Sequence, residues 1–232
     1  TQVAKDLENS DIIDYSKTGS LRIYKYDITA AEAAGAYKEG ERFANGEKDA
    51  VVEKKMADYA VEGVQFTYLR VGNIETYSKT EGGSSQVNVV YEIPEKLAEI
   101  LKLDTGEFGA AYDMNAGGVA EKCTNKGVLH YDSTQLNELK ATSDLEEYLY
   151  SYGTQDSTTD GSVNTSEDTG IAAVNMPKTD KDGHTYVKDL RVGLYLLVET
   201  EVPEQLTSTT NPWFVSLPFT NMTPDEAGGG TG

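Results

Sequence analysis

The chain has one cysteine, Cys123, in 232 residues. It therefore forms no internal disulfide, and Glu121-Lys-Cys-Thr-Asn-Lys126 lacks the C-x-x-C spacing of a redox or zinc site. Histidine is equally scarce. His130 and His184 each lack a second ligand at metal spacing, and both read as solvated or strand-edge side chains. No run of 18 apolar residues is present, which excludes a membrane-spanning helix from this chain. There is also no signal-type segment, so the polypeptide is expected to be cytosolic or already processed. Basic residues are few: 20 Lys and Arg against 39 Asp and Glu leave a net charge of −19. That balance argues against nucleic acid, whose phosphates need clustered Lys and Arg, and against an anionic membrane surface. It is read as a solubilising surface in preference to a dedicated cation site. No G-x-S-x-G, H-E-x-x-H or phosphate loop occurs. Cys123 has no protease-like context with either histidine, so no enzyme active site and no cofactor are expected.

Tyrosine, by contrast, is abundant: 15 against 5 Phe and 1 Trp. Tyr on strands suits a half-exposed sheet. Two strands stand out near the C-terminal end. Gly193 to Glu199 is apolar on both faces, as a strand covered on two sides should be. In the second, Trp213, Val215, Leu217 and Phe219 alternate with Ser216, Pro218 and Thr220. Pro218 cannot donate to a ladder and must face an edge or a bulge. A third strand spans Ser20 to Tyr26, with Leu21, Ile23 and Lys25 on one face. Each of the three ends its inward face on a polar side chain: Lys25, Glu199 in phase with Tyr195 and Leu197, and Asn221 in phase with Trp213 to Phe219. Burying the three separately is expensive, so they are expected to meet or to escape to the rim.

Other elements follow in order. Residues 1–18 read as a leader or linker, Ala30 to Ala36 as a short helix, and Lys38 to Lys55 as an exposed charged loop. Ala60 to Val71 reads as strand, Glu81 to Ser85 as a turn, and Gln86 to Ile93 as strand ending at Pro94. Three helices are expected over Glu95–Leu103, Asp132–Leu139 and Ser143–Tyr152, the last with a Ser143/Glu146 capping box and Gly153 as its stop. Thr154 to Gly170 is a long Ser/Thr/Asp/Gly loop. Lys178 to His184 is a hairpin turn centred on Asp182-Gly183. Asp180, Asp182 and Asp189 do not complete an EF-hand frame, and a plain turn is the reading there.

Some of these residues resemble a known family. Gly193-Leu-Tyr-Leu-Leu-Val-Glu-Thr-Glu-Val-Pro-Glu204, Asn211-Pro-Trp-Phe-Val-Ser-Leu-Pro-Phe-Thr-Asn221, Gly19-Ser-Leu-Arg-Ile-Tyr-Lys-Tyr26 and Val61-Glu-Gly-Val-Gln-Phe-Thr-Tyr-Leu-Arg-Val71 are similar to the N-terminal domain of sortase-assembled Gram-positive major (backbone) pilins of the SpaA type, a Cna B-like domain. The resemblance brackets Gly19 to about Thr223, and the long middle matches only loosely. It implies a mainly β, immunoglobulin-like (Cna B-type) sandwich over 19–225, with a helical insertion at about 95–153 and a flexible tail at 226–232. It implies a structural subunit of an extracellular, cell-wall-anchored pilus, with neighbouring pilin subunits and a sortase as partners. The rival reading is a pilus-tip or surface adhesin domain that binds a host ligand through the insertion or the 154–170 loop. Such pilins carry a Y-P-K lysine and an L-P-x-T-G signal. Neither is present, and both are expected beyond Gly232. Leu217-Pro-Phe-Thr-Asn221 lacks the glycine and tail of a sorting signal and reads as a core strand.

The resemblance also implies chemistry. In these families a first-strand Lys and a last-strand Asn form an isopeptide bond promoted by a Glu on a neighbouring strand. By position these are Lys25, Asn221 and Glu199. The amine must be neutral to attack, and a protonated carboxyl must polarise the amide and carry protons, both favoured by an apolar surround. The plain reading of the same residues is a strand rim, with the Lys25 stem on the core, Glu199 opening a turn and Asn221 closing a strand.

Overall fold

The computed structural model describes residues 16–38, 50–81, 84–103, 128–131, 136, 139, 142–158, 172–206 and 209–217. The strands are β1 (Thr18–Tyr24), β2 (Gln65–Gly72), β3 (Ile74–Glu81), β4 (Ser84–Pro94), β5 (Val128–Tyr131), β6 (Thr154–Asp156), β7 (Ala173–Asn175), β8 (His184–Arg191), β9 (Gly193–Glu201) and β10 (Trp213–Leu217). The helices are α1 (Ile28–Ala33), α2 (Ala50–Met56), α3 (Glu95–Ile100) and α4 (Ser143–Tyr150). The protein is mainly β, as expected. Its strands form a five-stranded sheet in the order β10-β9-β2-β7-β6, a two-stranded sheet β1-β8 and a three-stranded sheet β3-β4-β5.

The five-stranded sheet is the centre, and β9 shows why. Its side chains alternate between two cores. Leu194, Leu196 and Val198 enter one, with Leu69 and Val71 of β2, and meet Tyr91, Ile93, Leu129 and Tyr131 of the three-stranded sheet and Leu97, Leu145 and Leu149 of the helices. Tyr195 and Leu197 enter the other, with Phe66 and Tyr68, beneath Leu21 of β1 and Val187 and Leu190 of β8. The run of apolar residues on both faces of β9 is therefore what a sheet covered on two sides requires. Gly72 marks the closest approach of two layers, since a Cβ there would run into the Glu92 carbonyl of β4. The segment 95–153 contributes α3 and α4 but also β5, which pairs with β4 from Tyr91↔Tyr131 to Pro94↔Val128.

Several expectations change in detail. Part of the 38–55 stretch is helix: α2 carries Glu53 in its first turn and Lys54 and Lys55 in its last, and it buries Met56. That charge order complements the helix dipole, and the buried methionine fixes a segment whose composition reads as loop. The first residues of the 154–170 loop are strand, because β6 pairs in parallel with β7 and Asn175 Nδ2 donates to Asp156 Oδ1 at 2.9 Å. The cap of α4 is Thr142, whose hydroxyl accepts from Leu145 N at 3.2 Å, one residue before the expected Ser143. Pro94, the last residue of β4, is also the N-cap of α3. The Asp182-Gly183 turn is present, but it joins no hairpin: β7 pairs with β2 and β6, while β8 pairs with β1. It carries the chain from one layer to the next. Of the expected leader over 1–18, residues 1–15 lie outside the described residues and Thr18 already opens β1. The Asp132–Leu139 helix apart from the buried Leu136 and Leu139, Cys123, the loop beyond Thr158 and the tail also lie outside the described residues.

The tyrosines give the fold a pH limit. Burial, opposed by nearby Arg70 and Arg191, pushes the Tyr195 phenol up to about 12, and its hydroxyl donates to the Arg191 carbonyl at 2.7 Å. Burial also raises Tyr68 and, together with its hydrogen bond to Tyr152, Tyr148. An acid whose folded pKa lies above its unfolded value of 10.0 keeps its proton longer in the native state, so stability is intact below pH 10 and falls as pH rises through about 12. Urea midpoints are expected to hold from pH 8 to 9.5 and to drop steeply by pH 11.5. A flat profile there would remove the buried phenols as the cause.

Candidate functional site

The site forms where β1 leaves its sheet. Lys25 follows the last residue of β1, and its backbone is held on both sides: its N–H donates to the Gly183 carbonyl at 2.8 Å, and its carbonyl accepts from Val61 N at 3.0 Å. Gly183 sits at φ +72, and a Cβ there would meet the Lys25 carbonyl, so the turn needs glycine for both conformation and space. Asp180 Oδ1 accepts from Asp182 N and His184 N at 2.9 and 3.0 Å, which uses this carboxylate to build the turn.

Held in this way, Lys25 continues the inward face of Leu21 and Ile23. Glu199 arrives from β9, paired across β2 with Phe66 and in phase with Tyr195 and Leu197. The two side chains meet: Lys25 Nζ lies 2.7 Å from Glu199 Oε2, with side chains 9% and 0% exposed. Thr210 closes the group. Its hydroxyl accepts from Lys25 Nζ at 2.7 Å, and its backbone N–H donates to Glu199 Oε1 at 2.9 Å. No other donor reaches Oε2 among the described residues. Two charges removed from water cost several kcal/mol each, and only tight mutual pairing with further hydrogen bonds offsets this. The arrangement supplies both.

Chemically, the pair is an amine and a carboxyl within proton-transfer distance in an enclosed place. Moving one proton from Nζ to Oε2 gives a neutral nucleophile and a neutral acid, which is the combination that attack on an amide needs. The amide expected for that role, Asn221, lies outside the described residues. Of the three residues singled out from the sequence, the structure thus brings Lys25 and Glu199 together. Thr210 is the member that sequence reading missed. It belongs to the connection between β9 and β10, where no strand period marks which residue turns inward.

The histidines are elsewhere. His130 is buried on β5, an edge strand of its sheet, with Nε2 3.4 Å from Glu92 Oε1, so it is a strand-edge side chain but not a solvated one. His184 lies between the rings of Tyr24 and Tyr186, with centroids 4.9 and 5.7 Å away. Among the described residues no three His, Cys, Asp or Glu are grouped to hold a metal ion. No described helix is long and apolar enough to cross a membrane.

No protein-family model matches the chain, and no curated protein matches it. Among solved structures it is similar to the full-length major pilin SpaD from Corynebacterium diphtheriae, at a TM-score of 0.38 and 17% identity. The likeness covers 92% of this chain, which spans 30% of the length of that protein.

Proposed function

We propose that the chain is a structural domain of a covalently polymerised cell-surface pilus subunit, and that Lys25 and Glu199 are the amine and the acid–base group of an internal isopeptide cross-link. The observation that carries this reading is the buried Lys25–Glu199 pair, 2.7 Å apart. It ties the residue after the first strand to β9 of the five-stranded sheet, at the two positions that the resemblance to pilin domains selects. A lysine and a glutamate that merely closed strand ends would gain more by staying in water. A shaft subunit is loaded along its length, and a bond between its first strand and the last part of its chain resists that load without a disulfide. The partners in this reading are neighbouring subunits and the sortase that joins them, and the location is the outside of the cell wall. The net charge of −19 suits a solvated fibre surface.

The test is an immunoblot of cell-wall extracts from the organism that carries the gene, using antibody raised against this domain. The expected result is a ladder of high-mass species that survives boiling in detergent and collapses to monomer when the sortase is removed. A single monomer band in the presence of active sortase would overturn the pilus reading.

A further inference from the structure

We infer that the amide facing the Lys25–Glu199 pair is Asn211, in the connection entering β10, and not Asn221 at the far end of that strand. The inference rests on the proposed cross-link and names its third member. It comes from strand register. β10 runs antiparallel to β9, with Trp213 opposite Leu197, Val215 opposite Tyr195 and Leu217 opposite Gly193. Two positions before Trp213 the same register sets residue 211 opposite residue 199. Asn211 is also in phase with Trp213, Val215 and Leu217, the positions of β10 that face the core beneath β1 and β8. Its neighbour Thr210 already touches both members of the pair, through its hydroxyl to Lys25 and its N–H to Glu199.

The direction of β10 works against Asn221. Leu217 lies opposite Gly193, six residues from Glu199 along β9, or about 20 Å at strand spacing. Four further residues reach at most about 14 Å, even if they doubled straight back. Straight back is also closed, because Val215 and Trp213 pack on the core along that path. The other end of β1 confirms the polarity: a Cβ on Gly19 would contact the Leu217 side chain, so β10 ends at the start of β1 while Lys25 lies beyond the other end of β1.

In the structure Asn211 is exposed and the Thr210 hydroxyl occupies the place beside Nζ. Bond formation therefore requires the Asn211 carboxamide to turn inward and displace that hydroxyl. Once a proton has moved from Nζ to Glu199, the neutral amine attacks Cγ of Asn211 and the protonated carboxyl supports the developing oxyanion. The Cγ–Nδ2 bond breaks as Glu199 returns its proton to the leaving nitrogen, the second Nζ proton passes to the freed Glu199 carboxylate and on to the departing ammonia, and the nitrogen leaves as ammonium. One C–N bond replaces another, and no oxidant or activating group is consumed.

The experiment is the intact mass of the denatured, purified protein as wild type, Lys25→Ala, Asn211→Ala and Asn221→Ala, with tandem mass spectrometry of the digested wild type. The expected result is a wild type and an Asn221→Ala variant each lighter than calculated by one ammonia, full mass for the other two, and a wild-type peptide pair joined through Lys25 and Asn211. The wild-type peptide map does not depend on whether any variant folds. A deficit that survives Asn211→Ala, or that is lost in Asn221→Ala, would discard Asn211 and leave the cross-linked pilin reading standing. Full mass in the wild type would overturn the cross-link and this inference together. The sortase-dependent ladder then decides the pilus role on its own.

Discussion

Glu199→Ala is expected to be the most damaging single change at the site, lowering unfolding stability by about 3–5 kcal/mol from the lost partner alone. The reason is what remains. Lys25 keeps a side chain only 9% exposed, with the Thr210 hydroxyl as its neighbour and no counter-charge, and the Thr210 N–H loses its acceptor. A double variant, Lys25→Met with Glu199→Leu, removes both charges and fills the space with apolar atoms. That exchange is often neutral or better for a buried pair. The double variant should therefore recover the part of the loss that is electrostatic. If the proposed cross-link forms, the double variant should still fall short of the cross-linked protein by the chain entropy of a closed loop, about 5 kcal/mol for a loop of this order. Guanidinium denaturation of the three proteins separates the terms. A Glu199→Ala variant with an unchanged midpoint would mean that the pair contributes nothing.

Phe66→Ala is expected to cost about 3–5 kcal/mol, the range for emptying a large aromatic site. Phe66 is 1% exposed near the start of β2, opposite Glu199 on β9. Its ring meets Trp213 edge-on, with centroids 5.9 Å apart and planes at 79°, an arrangement that adds about 0.5–1.5 kcal/mol beyond burial. Trp213 is the only tryptophan, so its fluorescence reports this one place. Alongside the fall in stability, the emission of the folded variant should move to longer wavelength as water enters beside the indole. An unshifted spectrum with native stability would show that Phe66 is not part of the core under β1.

Parts of this architecture are legible in the residues. The period of two on β1 and β9 places Lys25 with Leu21 and Ile23, and Glu199 with Tyr195 and Leu197. The doubly apolar β9 announces a sheet covered on both faces, and Gly183 and Gly153 mark turns that require positive φ. These features are local, carried by alternation and by backbone sterics, so a single chain displays them without its partners. α2 is less legible, because only the burial of Met56 distinguishes it from a charged loop. β6 is polar along its whole length and is strand solely because β7 lies beside it.

The residues alone reveal the faces: which side chains each strand turns inward, and that an amine and a carboxyl lie on the apolar side of β1 and β9. Alternation fixes this because successive side chains in a strand point to opposite sides. Tertiary structure decided the neighbours. It brought Lys25 within 2.7 Å of Glu199, added Thr210 from a connection without periodicity, and ran β10 antiparallel to β9 with Trp213 opposite Leu197 and Leu217 opposite Gly193. Strand order and direction depend on contacts between residues far apart in the chain, and no local pattern encodes them.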